Sequence, residues 1–476
     1  MIILILIFCS AESMDTLKSV QSLLFSENGE PIYWQKSSVE IERRELFDVE
    51  GEIYLMKESE GLLHSSGNDV SSIIFKCTSA LPKCQAAIES LWEKLNTGVW
   101  QDIPNYLRHL YSHASLIKSF ALYKLFCYDN NGEKSIDFLK QTLKSVDLGL
   151  LLGLPTSELT SAARLYSDEF RKLTLKTESG PSSSVKRTKK IRLESKTPEN
   201  IGDKDCSGTR NFSRNDLVTD TPWRKWKKPA EIPSLERPSL ENFSKNYFKQ
   251  RLPVILKNCL LHWPALKSWS PGYLAKVAGE RTVPVELGPN YIHPAWGQKL
   301  MTIREFVNTH MLDENSQDSK VDQIGYLAQH PLFEQVPELR ADIKIPEYCC
   351  LCDNASDDED VEEPVINAWF GPKGTVSPLH YDPKHNLLAQ VVGKKRVILY
   401  SCEDSKYLHP YMGQLLDNTS QIDPEDPETI ERFPDLIKAE PWECEIQAGD
   451  MLYIPPKWWH HIRSLSVSFS VSFWWQ

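Results

Sequence analysis

A tripeptide near the C-terminal end of the sequence has side chains that could bind a metal ion. His380 and Asp382 enclose the only His-x-Asp or His-x-Glu tripeptide in the chain. About one or two such tripeptides are expected by chance at this length and composition, so the tripeptide alone proves little. Its context is more specific, because it follows a glycine-proline turn and a predicted strand, and His460 comes later, after a pair of prolines.

Two histidines and one carboxylate are the ligands by which many oxygenases hold non-haem ferrous iron. Such a set covers one face of an octahedral ion and leaves three positions open, two for a chelating 2-oxo acid and one for oxygen. His461 directly follows His460, so the spacing alone leaves the second histidine ligand open between them. The residues predict a metal centre formed by His380, Asp382 and one member of this pair.

A chelated 2-oxo acid also needs a cation at its far carboxylate, and Lys395 is the candidate. It follows the metal tripeptide on a predicted strand pair, where its ammonium could form a charge-assisted hydrogen bond. A solvated lysine is the competing interpretation, because Lys395 lies in a Gly-Lys-Lys-Arg turn. Tyr326, Ser377 and Asn386 could supply neutral hydrogen bonds to the same molecule.

Short strand-like segments surround these residues throughout the C-terminal half. The last segment, from Ser466 to Trp474, alternates serine with valine and phenylalanine, which is typical of a strand with one buried face. Many short strands separated by turns indicate a sandwich or a barrel, and the double-sheet jelly roll of the cupin kind is one such fold. The other predicted strands are 253–256, 365–370, 387–392, 396–400 and 451–454.

The N-terminal half has a different pattern, with apolar residues at helical spacing from residue 14 to 176, for example Ile88, Leu91 and Leu95. We expect an all-α domain of packed antiparallel helices that serves as a scaffold or binds a partner protein. Residues 1–13 form an apolar extension without the basic residues that begin a signal peptide. We interpret this extension as a wrongly assigned start, with a targeting segment as the alternative.

A polar segment from 177 to 217 separates the two halves. It is nearly free of large apolar side chains, so burial cannot offset the entropy of ordering it, and we interpret it as a disordered linker before a second domain, 218–476. The linker contains a basic cluster of the kind that nuclear import receptors bind, namely Lys186, Arg187, Lys189, Lys190 and Arg192. A solvated run of charge explains it about equally well. The cluster favours a nuclear protein, with the cytoplasm as an additional location.

The overall composition argues against several classes of protein. The formal net charge of -11 is not that of a general nucleic-acid binder, so we expect no direct nucleic-acid partner. The apolar run at the N-terminus is too short to span a bilayer, and we expect no membrane partner either. Eleven cysteines without regular spacing favour a reducing compartment. Cys349, Cys350 and Cys352 lie close together, but a structural zinc site needs four well-spaced ligands.

The motifs around the metal tripeptide resemble those of the JmjC family of Fe(II)- and 2-oxoglutarate-dependent oxygenases. The central motifs are Pro-Leu-His-Tyr-Asp-Pro at 378–383, Gly-Lys-Lys at 393–395, Ala-Gly-Asp at 448–450 and Ile-Pro-Pro-Lys-Trp-Trp-His at 454–460. The segments 325–330, 366–372 and 469–475 also resemble the family. The resemblance is strong over residues 220–476 and weak over the helical half.

This resemblance implies a fold and a set of site residues. The fold would be an all-β double-stranded β-helix, the cupin-like jelly roll of JmjC domains, with surrounding helices. The iron ligands would be His380, Asp382 and His460, because the Trp-Trp-His order favours His460 over His461. The 2-oxoglutarate contacts would be Tyr326, Ser377, Asn386, Lys395 and Trp474, with Trp369 and Trp474 lining the pocket.

The resemblance also implies an activity, in which 2-oxoglutarate and O2 are co-substrates for hydroxylating a C–H bond of a protein or peptide, with histones among the candidates. Hydroxylation of an arginine side chain is the first expectation, because Asp382 stands where many JmjC histone demethylases have glutamate. Hydroxylation of an N-methyl group on histone lysine, with loss of formaldehyde, is the second. A non-catalytic JmjC binding module and a cupin metal enzyme of other chemistry are the alternatives. The target protein and the oligomeric state stay open.

Overall fold

The computed structural model describes residues 11–26, 30–33, 43–64, 69–98, 102–128, 132–178, 227–311, 323–353, 363–413 and 416–476. The basic cluster of the predicted linker lies outside these residues, as do residues 1–10 of the predicted extension. Residues 11–13 belong to the first helix. The predicted domain boundary after residue 176 falls in the last turn of a helix, and the boundary at 217 lies outside the described residues.

Six long helices form the described part of the N-terminal half: α1 Ala11–Leu24, α2 Arg43–His64, α3 Val70–Leu95, α4 Asn105–Tyr128, α5 Gly132–Leu152 and α6 Ser157–Glu178. Helix α3 has one buried stripe at helical spacing, which includes Cys84 and Leu91, and Asp69 caps its first turn. Helix α4 is buried on most of its surface and forms the centre of the bundle, with Phe120 and Tyr123 fully buried. The all-α prediction for this half is confirmed.

Fourteen strands lie in the described part of the C-terminal half: β1 Ala230–Glu231, β2 Ser234–Glu236, β3 Val254–Lys257, β4 Thr282–Leu287, β5 Gly297–Thr302, β6 Gly325–His330, β7 Val365–Gly371, β8 Val376–Tyr381, β9 His385–Val392, β10 Lys394–Tyr400, β11 Trp442–Gln447, β12 Met451–Ile454, β13 Trp459–Ser464 and β14 Ser468–Trp475. The short helices of this half are α7 Leu240–Phe243, α8 Ala265–Ser268, α9 Pro271–Ala278, α10 Ile303–His310, α11 Leu332–Gln335, α12 Pro337–Ala341 and α13 Thr429–Arg432. A π-helical turn, Ser244–Phe248, follows α7, and 3₁₀ turns lie at Glu347–Cys350, Cys402–Tyr407 and Pro434–Lys438.

The strands form two sheets that face each other. The smaller sheet has the order β1-β11-β10-β13-β8, and the larger has the order β2-β3-β12-β9-β14-β7-β6-β4-β5. Side chains from both sheets meet in one apolar core, which joins Val397 and Ile462 of the smaller sheet to Leu388 and Leu452 of the larger. This arrangement is the cupin-like jelly roll, and the predicted fold class is confirmed.

The outer face of the larger sheet is covered by the short helices, and strand β14 shows the alternation that the sequence predicts. Phe469, Val471 and Phe473 belong to the core beneath those helices. The serines between them face the space between the sheets, where Ser470 donates to Gln390 at 2.6 Å. Ser472 accepts a hydrogen bond from Nε1 of Trp369 at 2.9 Å, so each of these buried hydroxyls has a partner.

Two further findings concern the described residues as a whole. No helix among them combines the length and the apolarity that crossing a membrane requires. The nine cysteines within this part of the chain are all free thiols, and Cys350 and Cys352 are exposed. No group of potential metal ligands in the described ranges includes a cysteine.

Candidate metal and co-substrate site

Two of the predicted metal ligands lie on adjacent strands of the smaller sheet, and the third, Asp382, directly follows one of these strands. His380 of β8 is directly paired with His460 of β13, and their ring centroids are 4.2 Å apart. Nε2 of His460 lies 3.6 Å from Oδ2 of Asp382. One ligand atom of each residue lies within 4.8 Å of the other two. The structure thus brings together the three side chains that the sequence predicts.

Backbone carbonyls orient both histidine rings. Nδ1 of His380 donates to the carbonyl oxygen of Pro378 at 2.7 Å, and Nδ1 of His460 donates to that of Trp458 at 3.0 Å. Each Nε2 therefore keeps its lone pair for a metal. Burial, and to a lesser extent the neighbouring His380, lowers the pKa of His460 to about 4. The ring is consequently neutral near pH 7, as a metal ligand must be.

A hydrogen bond fixes the backbone of Asp382, and one oxygen of its carboxylate is available to a metal ion. The backbone N–H of Lys457 donates to the carbonyl oxygen of Asp382 at 2.8 Å. Oδ2 of Asp382 is buried and has no hydrogen-bond partner. A buried carboxylate oxygen in this state is costly unless a cation lies against it. Two imidazoles and this carboxylate therefore fit the ferrous ion that the resemblance implies.

A β-bulge in β8 shapes the site. In the sheet register His380 lies opposite His460 and Ser377 opposite Ile462, so β8 contains two residues where β13 contains one. The extra residue reverses the alternation of β8 locally. Ser377 and His380, which are three positions apart, consequently both line the same cavity.

Lys395 of β10 is buried in the same space, with 2% of its surface exposed. Its Nζ donates to Oη of Tyr326 at 3.3 Å. Burial lowers the pKa of Lys395 to about 7, and no charged side chain in the described part of the chain offsets this effect. A buried ammonium without a counter-charge is stabilised by an anion, and the far carboxylate of 2-oxoglutarate would be one.

One cavity between the sheets contains nearly all of the predicted site residues. Its walls are formed by Tyr326, Trp369, Ser377, His380, Asp382, Asn386, Leu388, Lys395, His460 and Ile462. Trp474 is the exception, because it is paired with Asn386 in the sheet but does not form part of the wall. Nε1 of Trp474 and Oδ1 of Asn386 are both buried without a hydrogen-bond partner. The roles of these residues toward 2-oxoglutarate stay predictions.

His461 faces the opposite side of the smaller sheet and belongs to a different group of side chains. Its Nε2 lies 4.0 Å from a carboxylate oxygen of Asp423 and 4.0 Å from one of Glu425, and this is a second possible metal-binding group within the described residues. Arg396 and Arg463 both form ion pairs with Glu425. Because two guanidinium groups already neutralise this carboxylate, a cation is less favourable here than beside His460.

The sequence analysis missed the residues at the rim of the cavity. Glu286 of β4 lies directly opposite Tyr326 of β6 in the sheet register, so both side chains project to the same side. The ring of Tyr291 meets that of His380 edge-on, at a centroid distance of 6.4 Å. Trp296 lies close enough to the carboxyl group of Glu286 to influence its pKa. No motif or spacing links these residues to the metal tripeptide.

The carboxyl groups of Asp382 and Glu286 both lie close to the rim. Burial raises the pKa of Tyr291 to about 12, and the charges of Asp382 and Glu286 act in the same direction. Burial also raises the pKa of Glu286, while the nearby indole of Trp296 opposes this shift. Oη of Tyr291 lies 3.2 Å from Oγ1 of Thr419. The rim thus combines a partly buried carboxyl group with aromatic rings, one of which contacts His380.

Comparison with known proteins agrees with this geometry. Residues 240–476 match the model of a family described as "Cupin-like domain". The chain is 38% identical over 401 residues to lysine-specific demethylase 8 of Danio rerio, an alignment that covers 84% of this chain and 88% of that protein. It is 37% identical to Jumonji C domain-containing protein 5 of Drosophila melanogaster, with coverage of 82% and 86%. It is 38% identical to lysine-specific demethylase JMJ30 of Arabidopsis thaliana, with coverage of 82% and 85%.

Proposed function

Because the chain belongs to the cupin-like JmjC family and is a 2-oxoglutarate-dependent oxygenase, we propose that it hydroxylates an arginine side chain in protein substrates. The observation that carries this proposal is the partly buried carboxyl group of Glu286 at the rim of the cavity. Because of this family membership, a non-catalytic binding module and a cupin enzyme of other chemistry are weaker interpretations.

In this proposal each residue of the cavity has a distinct task. His380, Asp382 and His460 hold Fe(II), which together with 2-oxoglutarate and O2 supplies the oxidising power to insert oxygen into a C–H bond. Lys395 and Tyr326 hold the far carboxylate of 2-oxoglutarate by charge and hydrogen bonding. The remaining contacts to the co-substrate come from Ser377, Asn386 and Trp474, and Trp369 shapes the pocket.

Glu286 provides the recognition of a cationic substrate side chain. Burial disfavours the ionised form of Glu286. A bound cation would stabilise the carboxylate by forming an ion pair with it. Guanidinium suits this position, because its planar fork can donate two parallel hydrogen bonds to one carboxylate and it stacks on aromatic rings. Tyr291 and Trp296 lie beside the carboxyl group and offer such rings.

Demethylation of histone lysine is the second candidate. Two of the relatives are named lysine-specific demethylases, and a methylated ammonium is also attracted to aromatic faces such as those of Tyr291 and Trp296. A methylated lysine keeps fewer N–H donors for Glu286 than arginine does, so the pairing is weaker. Its oxidation would release formaldehyde and leave a demethylated product.

The proposed partner is a basic protein segment, with histone tails as one source. The net charge of -11 favours such a substrate over nucleic acid. We propose a nuclear location, with the cytoplasm as a second site, on the basis of the basic cluster in the predicted linker and the names of the relatives.

The test uses the full chain, loaded with Fe(II) and 2-oxoglutarate without oxygen and then exposed to oxygen with peptides. Mass spectrometry compares arginine-containing peptides with matched methyl-lysine peptides. We expect addition of one oxygen atom to arginine, absence of product with His380→Ala, and a loss of about 10- to 100-fold in kcat/KM with Glu286→Gln, which removes a charged partner. Loss of a methyl group from lysine without oxygen on arginine would instead support the second candidate.

A further inference from the structure

A carboxylate of the helical half is buried against the strands of the C-terminal half. Asp147 of α5 is fully buried. It accepts hydrogen bonds from Nε and Nη2 of Arg281 at 2.9 and 2.6 Å, and from the backbone N–H of Thr282 at 2.7 Å. Nε2 of Gln335 donates to it at 2.9 Å. We call these four residues the interdomain hub.

The hub lies at one end of β4 and β6, and Tyr326 of β6 forms part of the cavity wall. Thr282 is the first residue of β4, which continues to Glu286. Gln335 donates to the carbonyl oxygen of Thr282 at 2.7 Å, and its Oε1 accepts from Nε2 of His330 at 2.7 Å. His330 is the last residue of β6, the strand of Tyr326. The hub therefore joins the helical half to both strands.

Further contacts fix the helices around the hub. Nη1 of Arg281 reaches Oγ of Ser167 on α6 at 3.4 Å. On either side, Lys140 pairs with Glu280 at 3.7 Å, and another ion pair joins Arg171 to Glu338. These flanking pairs are partly exposed and contribute little by themselves. The fully buried pair of Arg281 and Asp147 is different, because loss of one partner leaves the other charge buried and uncompensated.

We propose that the helical half positions the 2-oxoglutarate-binding wall of the cavity through Asp147. In this view Asp147 is a positioning residue for the reaction, and the helical half is an integral part of the oxygenase as well as a candidate partner-binding module. The inference rests on the proposed function, because it requires Tyr326 to contact 2-oxoglutarate. Loss of the hub would let the ends of β4 and β6 relax, and Tyr326 would then move relative to Lys395.

The experiment measures 2-oxoglutarate binding by calorimetry to the full chain, loaded with Fe(II) in the absence of oxygen. For Asp147→Asn we expect an affinity for 2-oxoglutarate about 2- to 30-fold weaker, the range of coupling through packed networks. The affinity for Fe(II) should not change, because its ligands lie on other strands. A purely structural role would lower the unfolding temperature of the variant and leave the dissociation constant of its folded form unaltered.

A second variant and a control make the test decisive. Gln335→Met removes the link to His330 and leaves Asp147 paired with Arg281, so it answers the question even if Asp147→Asn does not fold. Asp137→Asn, an exposed change on the same helix, should bind 2-oxoglutarate as the unaltered chain does. Unaltered binding in the folded hub variants would overturn the inference. Failure of the unaltered chain to bind 2-oxoglutarate would instead refute the proposed function.

Discussion

Three buried polar groups in the cavity lack the hydrogen-bond partner or the counter-charge that buried groups usually have. Oδ2 of Asp382 and Oδ1 of Asn386 have no hydrogen-bond partner, and the ammonium of Lys395 has a neutral hydroxyl as its partner. Buried groups of this kind lower the stability of a fold unless a ligand satisfies them. At the scale of single residues, the site is therefore organised around a metal ion at one end and an anion at the other.

Lys395 leads to a prediction about pH. Below about pH 7 its ammonium is already charged in the free site, and above that pH binding of the 2-oxoglutarate carboxylate must take up a proton. Because the bound anion raises the pKa of Lys395, affinity for 2-oxoglutarate should fall by about tenfold per pH unit above 7. Lys395→Met should weaken binding at neutral pH by about 10- to 100-fold and remove this pH dependence. Titration calorimetry across a pH series measures both effects.

The neighbouring Lys394 offers a matched control. Its side chain is exposed and pairs with Glu445 on the outside of the sheet, so Lys394→Met should leave both the affinity and its pH dependence unchanged. If the affinity for 2-oxoglutarate fell as steeply with pH in Lys395→Met as in the unaltered chain, a group other than Lys395 would bind the co-substrate.

At the scale of elements, the site depends on irregular positions in regular strands. The bulge of β8 turns Ser377 inward beside His380. Asn386 lies on β9 and Lys395 on β10. The turn between these strands has Gly393 at its centre, with φ at 73°. This turn crosses from the larger sheet to the smaller one and connects the two strands that carry the proposed co-substrate contacts.

Gly393→Ala should destabilise the protein. A Cβ atom at this position would lie 2.0 Å from the carbonyl oxygen of Val467, and the left-handed backbone alone costs about 1–2 kcal/mol for a residue other than glycine. We expect a loss of at least about 2 kcal/mol and a fall in Tm of about 4–8 °C, measured by thermal unfolding.

The control is Gly61→Ala in helix α2, where nothing lies within 4 Å of the added atom. Because alanine favours a helix over glycine, this change should stabilise by about 0.5–1 kcal/mol. An unchanged Tm for Gly393→Ala would mean that the turn can adopt another conformation.

Strands were predictable from the sequence where their patterns are strong. The alternation of β14 and the apolar runs of β9, β10 and β12 agree with the predicted segments to within two residues at each end. Strands β4 to β6 were missed, because β4 contains Pro284 and β5 is largely polar and exposed. Since Glu286 lies on one of these strands, the rim of the site could not be predicted either.

At the scale of the whole molecule, the helical half and the C-terminal half are in contact at the interdomain hub. Pattern analysis of the sequence could not reveal this contact. Helical periodicity was enough to predict the all-α half. Asp147 is 188 positions from Gln335 in the chain, and neither residue belongs to a motif. A buried polar contact between two distant segments depends on the complete packing of both, which a single sequence does not encode in any local pattern.

The central claim concerns which of the two possible metal-binding groups in the described residues holds iron. The most direct test measures bound Fe(II) per chain without oxygen, in the unaltered protein and in His460→Ala and His461→Asn. We predict one Fe(II) per chain in the unaltered protein, loss of iron in His460→Ala, and full iron binding in His461→Asn. Iron retained by His460→Ala and lost from His461→Asn would contradict the assignment and place the metal at the Asp423 and Glu425 group.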